Sequence, residues 1–207
     1  MIRFFLTATV VVFGLAVAQQ NWVESIINPT PESRAAVCKD VFERTTANTF
    51  QVSEIRTYLT QSGASQFQSI LGSVLSVCRA AARRLDNIPS LSVLMSTSVL
   101  LWVSGSVREL RSARDWAAVF VLYGQDGSEI ARVRFNPRSS SLGNTDDWKA
   151  DCSGSSCRWV GRNLYYFSIN AEFLEKLKEA TSFGFLYTDA SGVNTVKFTQ
   201  QEYPNLK

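Results

Sequence analysis

Four cysteines, Cys38, Cys78, Cys152 and Cys157, all fall downstream of an apolar leader, and this limits what the chain can fold into more than any other feature. Met1-Ile2-Arg3 is followed by an apolar run from Phe4 to Val17 that closes on Ala16-Val17-Ala18, the pattern of a secretory signal peptide over residues 1–18. Thiols carried in even number into an oxidising compartment are expected to pair, so two disulfides are expected before any chemistry is considered. The apolar part of the leader is short for a bilayer span, so removal rather than anchoring is expected, leaving no stable membrane span. A periplasmic or secreted protein is the resulting expectation. Asn28-Pro29-Thr30 has Pro in the forbidden middle position of a glycosylation acceptor and no other Asn-x-Ser/Thr occurs, which favours a bacterial origin.

The second constraint is an absence: the chain has no histidine. Ser-His-Asp and Cys-His catalysis and His-ligated zinc are excluded by composition. An all-thiolate zinc site needs Cys-x2-Cys knuckles, and Cys152-x4-Cys157 also has the wrong separation for a thioredoxin-like redox pair, so neither a metal nor a cofactor is expected. A formal net charge of +3, one cation of which is Arg3 in the leader, is too small to indicate a nucleic-acid partner. With 45% apolar residues the chain can fill a core and is expected to fold.

Residues 19–87 read as helical. Thr30-Pro31-Glu32 supplies a cap, a first-turn Pro and an acid, and Val37, Cys38, Val41 and Phe42 follow at helical spacing. Val52, Ile55, Tyr58 and Leu59 suggest a short second helix ending at Gly63. Phe67, Ile70, Leu71, Val74, Leu75, Cys78, Ala82 and Leu85 form the strongest stripe. Cys38 and Cys78 fall on buried faces, placed to staple one helix to the other. From Pro89 the period changes: Leu91 to Val103 alternates with serines and reads as a strand, with a buried helix as the competing reading. Ala117–Tyr123 and Ser128–Phe135 flank a hairpin turn. Trp148–Asp151 and Cys157–Val160 form another, with Cys152 and Cys157 at its mouth. A strand over 164–169, a helix over 171–180 capped by Asn170, and a final hairpin of 183–188 with 193–199 complete the expectation. The fold class is α+β: an N-terminal helical region, 19–87, packed with an antiparallel β-rich region, 88–207, that contains one short helix and is stabilised by disulfides.

Candidate functional residues concentrate between Asn136 and Asn163. This segment is rich in Ser, Gly and Asn, is constrained by the expected Cys152–Cys157 bridge, and carries Trp148, Trp159, Arg158 and Arg162. Rigid aromatic and arginine side chains on a stapled loop suit a recognition surface, because little conformational entropy is lost on binding. The alternative for both tryptophans is a place in the core as cross-strand partners. Asp146, Asp147 and Asp151 beside Trp148 could serve carboxylate-based glycoside hydrolysis, the main route left without histidine, or form a solvated turn. The cluster lacks the glycine of a calcium loop. Arg108, Arg111 and Arg114, then Arg132, Arg134 and Arg138, read as solvated faces balanced by Glu109, Asp115 and Glu129, with a basic stripe for phosphate as the alternative.

Cys152-x4-Cys157, a strand, the run Ile169-Asn-Ala-Glu-Phe-Leu-Glu-Lys-Leu-Lys178, then Phe183–Leu186 and Val193–Phe198 resemble the C-terminal part of the invasion-associated locus B type of periplasmic domain. The resemblance covers residues 152–198, lacks that family's closing Gly-Phe segment and implies no function here. The sequence as a whole points to an exported, non-enzymatic module that binds a protein or glycan partner. A histidine-free glycosidase and an assembly or inhibitor subunit docking through its helical half are the alternatives.

Overall fold

The computed structural model describes residues 21–43, 55–60 and 63–202, with the backbone alone for 55–60, 63–65 and 202. The expected leader and its cleavage site lie outside the described residues. Among those described, no helix is long and apolar enough to cross a membrane.

Three helices and a hairpin open the fold. Helix α1 (Trp22–Ile27) starts at Asn21, whose side chain accepts a bond from the Val23 N–H. Helix α2 (Pro31–Glu43) begins as its sequence announces, with the Thr30 hydroxyl accepting from the Ser33 N–H. Strands β1 (Ile55–Thr60) and β2 (Gly63–Gln68) pair antiparallel before helix α3 (Ile70–Arg83), which Ser69 caps through Gly72 N–H. The short helix expected around Ile55, Tyr58 and Leu59 is therefore a strand; Val52, the first residue of that pattern, lies outside the described residues. Ile-Arg-Thr-Tyr-Leu-Thr is rich in β-branched and aromatic residues, and β2 pairs onward with β3, so sheet context overrides a short helical spacing. Phe67 likewise belongs to β2 rather than to the α3 stripe.

The chain continues through α4 (Leu91–Met95), β3 (Val99–Val107) and α5 (Leu110–Arg114). It then forms β4 (Ala118–Tyr123), β5 (Glu129–Arg134), β6 (Trp148–Ser153) and β7 (Ser156–Phe167). Helix α6 (Ala171–Lys176) runs on as a 3-10 turn, Leu177–Glu179, before β8 (Ser182–Asp189) and β9 (Gly192–Phe198). The strand expected from Leu91 thus starts only at Val99. Its first part is α4, entered after Pro89 and anchored by Leu94, which is buried against α2 and α3. The two strands expected at 157–160 and 164–169 are one, β7, because Gly161 keeps the ladder and does not break it.

Two antiparallel sheets face each other, in the orders β1-β2-β3-β7-β6 and β5-β4-β8-β9. Alternate residues of β3 point inward, Val99, Leu101, Val103 and Val107, against Phe120, Phe183, Phe185 and Phe198 of the second sheet. Phe120 stacks on Phe185 at 4.9 Å, and Phe67 reaches three of those rings at 5.3–5.4 Å. Helix α1 closes one end of this sandwich with Val23, Ile26 and Ile27, and α6 another with Phe173. A second, smaller core of Val37, Cys38, Val74, Leu75, Cys78 and Leu94 joins α2, α3 and α4.

Both expected disulfides are present. Cys38–Cys78 links α2 to α3 with Cα atoms 5.3 Å apart, and Cys152–Cys157 joins directly paired residues of β6 and β7 at 4.1 Å. The fold is α+β, but residues 19–87 are not wholly helical. Their hairpin extends the sheet of β3, so a boundary at residue 88 would cut through one sheet.

Candidate functional site

The outer face of the first sheet is built by the residues of β3 and β7 that alternate with the core positions. The register sets Trp102 opposite Leu164, Ser104 opposite Arg162 and Ser106 opposite Val160. A cleft of about 420 Å³ opens there, lined by Ser104, Ser106, Val160, Arg162 and Asp147, with the backbone of Gly105 and Gly161 as its floor. Neither serine hydroxyl nor the Arg162 guanidinium has a hydrogen bond or ion pair among the described residues. Asp147 is held from one side: its Oδ2 accepts from the Ser141 hydroxyl at 2.8 Å. The cleft therefore offers a cation, two hydroxyls and a carboxylate, bordered by the half-buried Trp102 and the exposed Val160.

The floor depends on two glycines that meet across β3 and β7. A Cβ on Gly105 would lie 2.6 Å from the Trp116 ring, and one on Gly161 would lie 2.3 Å from the Asp147 carbonyl and 2.7 Å from the Trp148 Cα. Their lack of side chains admits Trp116 and Trp148, which meet edge to face at 5.5 Å beneath the sheet. Asn163 ties this layer together. Its Oδ1 accepts from Gly143 N–H at 2.8 Å and from the Trp148 indole at 3.1 Å, and its amide donates to the Ala113 carbonyl at 2.6 Å and the Tyr165 hydroxyl at 3.3 Å. Every hydrogen-bonding direction of this fully buried amide is engaged. Burial raises the Tyr165 hydroxyl well above the ordinary tyrosine range, against the opposing effect of the Asn163 bond.

The structure separates the residues that the sequence brought forward. Trp148 is 1% exposed and is a core residue rather than part of the outer surface; the pattern of a Trp beside acids does not reveal that its ring points inward. Trp159 is half-buried and packs against the rim of the sandwich core from the inner side. Arg158 and Arg162 are exposed on the outer side, and only Arg162 lines the cleft. Asp146 is exposed in the turn that Asn144 stabilises through the Asp146 N–H, while Asp147 faces the cleft. Asp151 lies four residues along the extended chain from Asp147, roughly 13 Å away, beyond the about 5–9.5 Å that glycosidase carboxylates require. Sequence reading missed Ser104, Ser106 and Trp102. The alternation Trp102-x-Ser104-x-Ser106 carries the signal, but reading the strand only as far as Val103 hid it.

Arg111 pairs with Glu109 and Arg132 with Glu129, as balanced solvated faces require. Among the described residues no group of three or more His, Cys, Asp or Glu could hold a metal ion. No family model, curated protein or solved structure matches the chain.

Proposed function

We propose that this chain is an exported, non-enzymatic binding module whose outer β3–β7 face holds a protein or glycan partner. The observation that carries this reading is the unengaged set in one cleft: the Arg162 guanidinium and the Ser104 and Ser106 hydroxyls beside Trp102. Unsatisfied polar groups on a rigid sheet, framed by apolar side chains, are prepared to exchange water for a ligand at little conformational cost. The disulfides and the leader pattern support export. A partner meeting this face would place an acidic or carbonyl group on Arg162 and hydroxyl or amide groups on the serines and Asp147.

The test is site-directed photo-crosslinking from position 106, with position 134 on the opposite sheet as control, in cells that export the protein. Partner capture from 106 alone, with affinity for the purified partner falling about tenfold or more in Arg162→Ala, supports the proposal. Unchanged affinity in folded Arg162→Ala and Trp102→Ala would remove the site. Labelled peptidoglycan and soluble oligosaccharides incubated with the protein form the second arm. Turnover lost in Asp147→Asn would replace binding by hydrolysis.

A further inference from the structure

Three residues form one row across the outer face of the first sheet. Ser104 of β3 stands opposite Arg162 of β7, and on the other side the Arg162 N–H donates to the Asp147 carbonyl at 3.3 Å. All three line the cleft. Arg162 and Asp147 are thus ladder neighbours of opposite charge, yet they form no ion pair. The Ser141 hydroxyl occupies Oδ2 of the Asp147 carboxylate and leaves Oδ1 open, while the guanidinium has no acceptor among the described residues. An acceptor and a fork of donors stand side by side and unjoined.

The chemistry around this gap suits a polyol. The lining carries one cation and one anion, so it is balanced in charge; Lys149 shares the face beyond Val160 but lies outside the lining. Each hydroxyl of a sugar both donates and accepts, which the pair of Arg162 and Asp147 calls for, and Ser104 and Ser106 add two groups of the same dual kind. The bare backbone of Gly105 and Gly161 lets a ring come close to the sheet. The half-buried Trp102, one outward position before Ser104 on β3, adds an aromatic surface for the C–H face of such a ring. The cleft of about 420 Å³ falls within the range of about 300–1,000 Å³ usual for small-ligand sites. A protein partner is served less well. Both β3 and β7 are paired on each side, so no strand can be added here, and the centre of the cleft holds charges and hydroxyls where protein interfaces set apolar anchors.

We propose that the β3–β7 cleft binds a neutral saccharide, with two adjacent ring hydroxyls bridging the Arg162 guanidinium and Asp147 Oδ1 and the ring packed toward Trp102. The inference rests on the binding role proposed for this face and names its occupant as a glycan. Two adjacent hydroxyls accept from one guanidinium much as the two oxygens of a carboxylate do, and one of them donates in turn to Asp147. Neither side chain alone supplies both halves of that contact.

The experiment is isothermal titration calorimetry of the exported, disulfide-paired protein with methyl glycosides and short oligomers of glucose, mannose, galactose and N-acetylglucosamine, and with the corresponding uronic acids, at low and high salt. At least one neutral series is expected to bind with an affinity that salt leaves unchanged. Arg162→Lys, which keeps the charge and loses the fork, and Asp147→Asn, which keeps the shape and the Ser141 contact, are each expected to lower that affinity by about tenfold or more while the fold is retained by circular dichroism. The double variant is expected to lose no more than the weaker single one, because either change alone breaks the bridge. A monodeoxy sugar lacking one bridging hydroxyl is expected to bind wild type more weakly by a similar factor and the double variant no differently from its parent sugar. Absence of binding by every neutral sugar, salt-sensitive binding confined to the uronic acids, or losses that add in the double variant would overturn the proposal. Capture of a protein through position 106 that depends on Arg162 and that these sugars do not displace would also overturn it while leaving the binding face in place. Neither capture nor sugar binding would remove both.

Discussion

Asn163 shows how much one side chain can organise. Its amide satisfies an indole, a backbone N–H and a backbone carbonyl that would otherwise be buried without partners. Asn163→Ala is expected to cost about 3 kcal/mol or more, read as a lower urea midpoint at unchanged slope. Gly161→Ala forces a Cβ into the Asp147 carbonyl and the Trp148 backbone, neither of which is a flexible side-chain end. A loss of about 2 kcal/mol or more is expected, together with altered near-ultraviolet circular dichroism from the displaced indole. Tyr165 gives a pH dependence. Its hydroxyl keeps its proton in the folded chain at pH values where an unfolded chain ionises, because burial disfavours the phenolate. Stability from this group is therefore present below about pH 10 and declines as pH rises beyond it, and Tyr165→Phe is expected to flatten that alkaline decline in denaturation curves. None of these roles is legible in sequence. A glycine, an asparagine and a tyrosine on a strand acquire them only when the register sets Trp148 against Gly161.

At the scale of elements, the sequence was most informative where a pattern is long or a cap is chemical. Helix α3, the cap at Asn170 and the hairpins β4–β5, β6–β7 and β8–β9 follow from periodicity and turn residues alone. It misled where a short segment takes its state from a distant partner. Ile55–Thr60 has six residues with helical and strand features together, and pairing with β2 decides between them. Leu91–Met95 alternates with serine like a strand, yet Pro89 ahead of it and the pocket for Leu94 make it a helix. The same reliance on partners explains Trp148: its inward direction is fixed by parity along β6, and parity depends on a register the sequence does not display. The two disulfides were legible from the even number of cysteines and from their places, one pair on helical stripes and one at the mouth of a turn. Their contributions should differ. Removing Cys38–Cys78, which closes a loop of 40 residues, is expected to cost roughly 4 kcal/mol in the chain-entropy argument, against roughly 2 kcal/mol for the five-residue loop of Cys152–Cys157. Denaturant unfolding of paired Cys→Ala variants would order them, and equal losses would contradict the entropic account.

For the whole molecule, the division into helical and β-rich regions does not correspond to two independent units. Phe67, from the first region, stands among Phe183, Phe185 and Phe198 of the second, and β2 covers an edge of β3. A chain starting at residue 88 is therefore expected to lose cooperative unfolding and to aggregate, since it exposes the β3 edge and a cavity the size of a phenylalanine. A soluble fragment with a sharp melt would refute this. Asn21 and Trp22 donate to the carbonyls of Ala180 and Thr181, 159 residues further along the chain. That long tie has a temporal meaning. In a polypeptide delivered from its N-terminus, α1 emerges ahead of the other described elements and waits for residues near 180 to be seated, and β3 waits for β7 while residues 108–155 are still to appear. Until then an apolar strand stands open at its edge, so this architecture depends on whatever holds an incomplete chain apart from its neighbours.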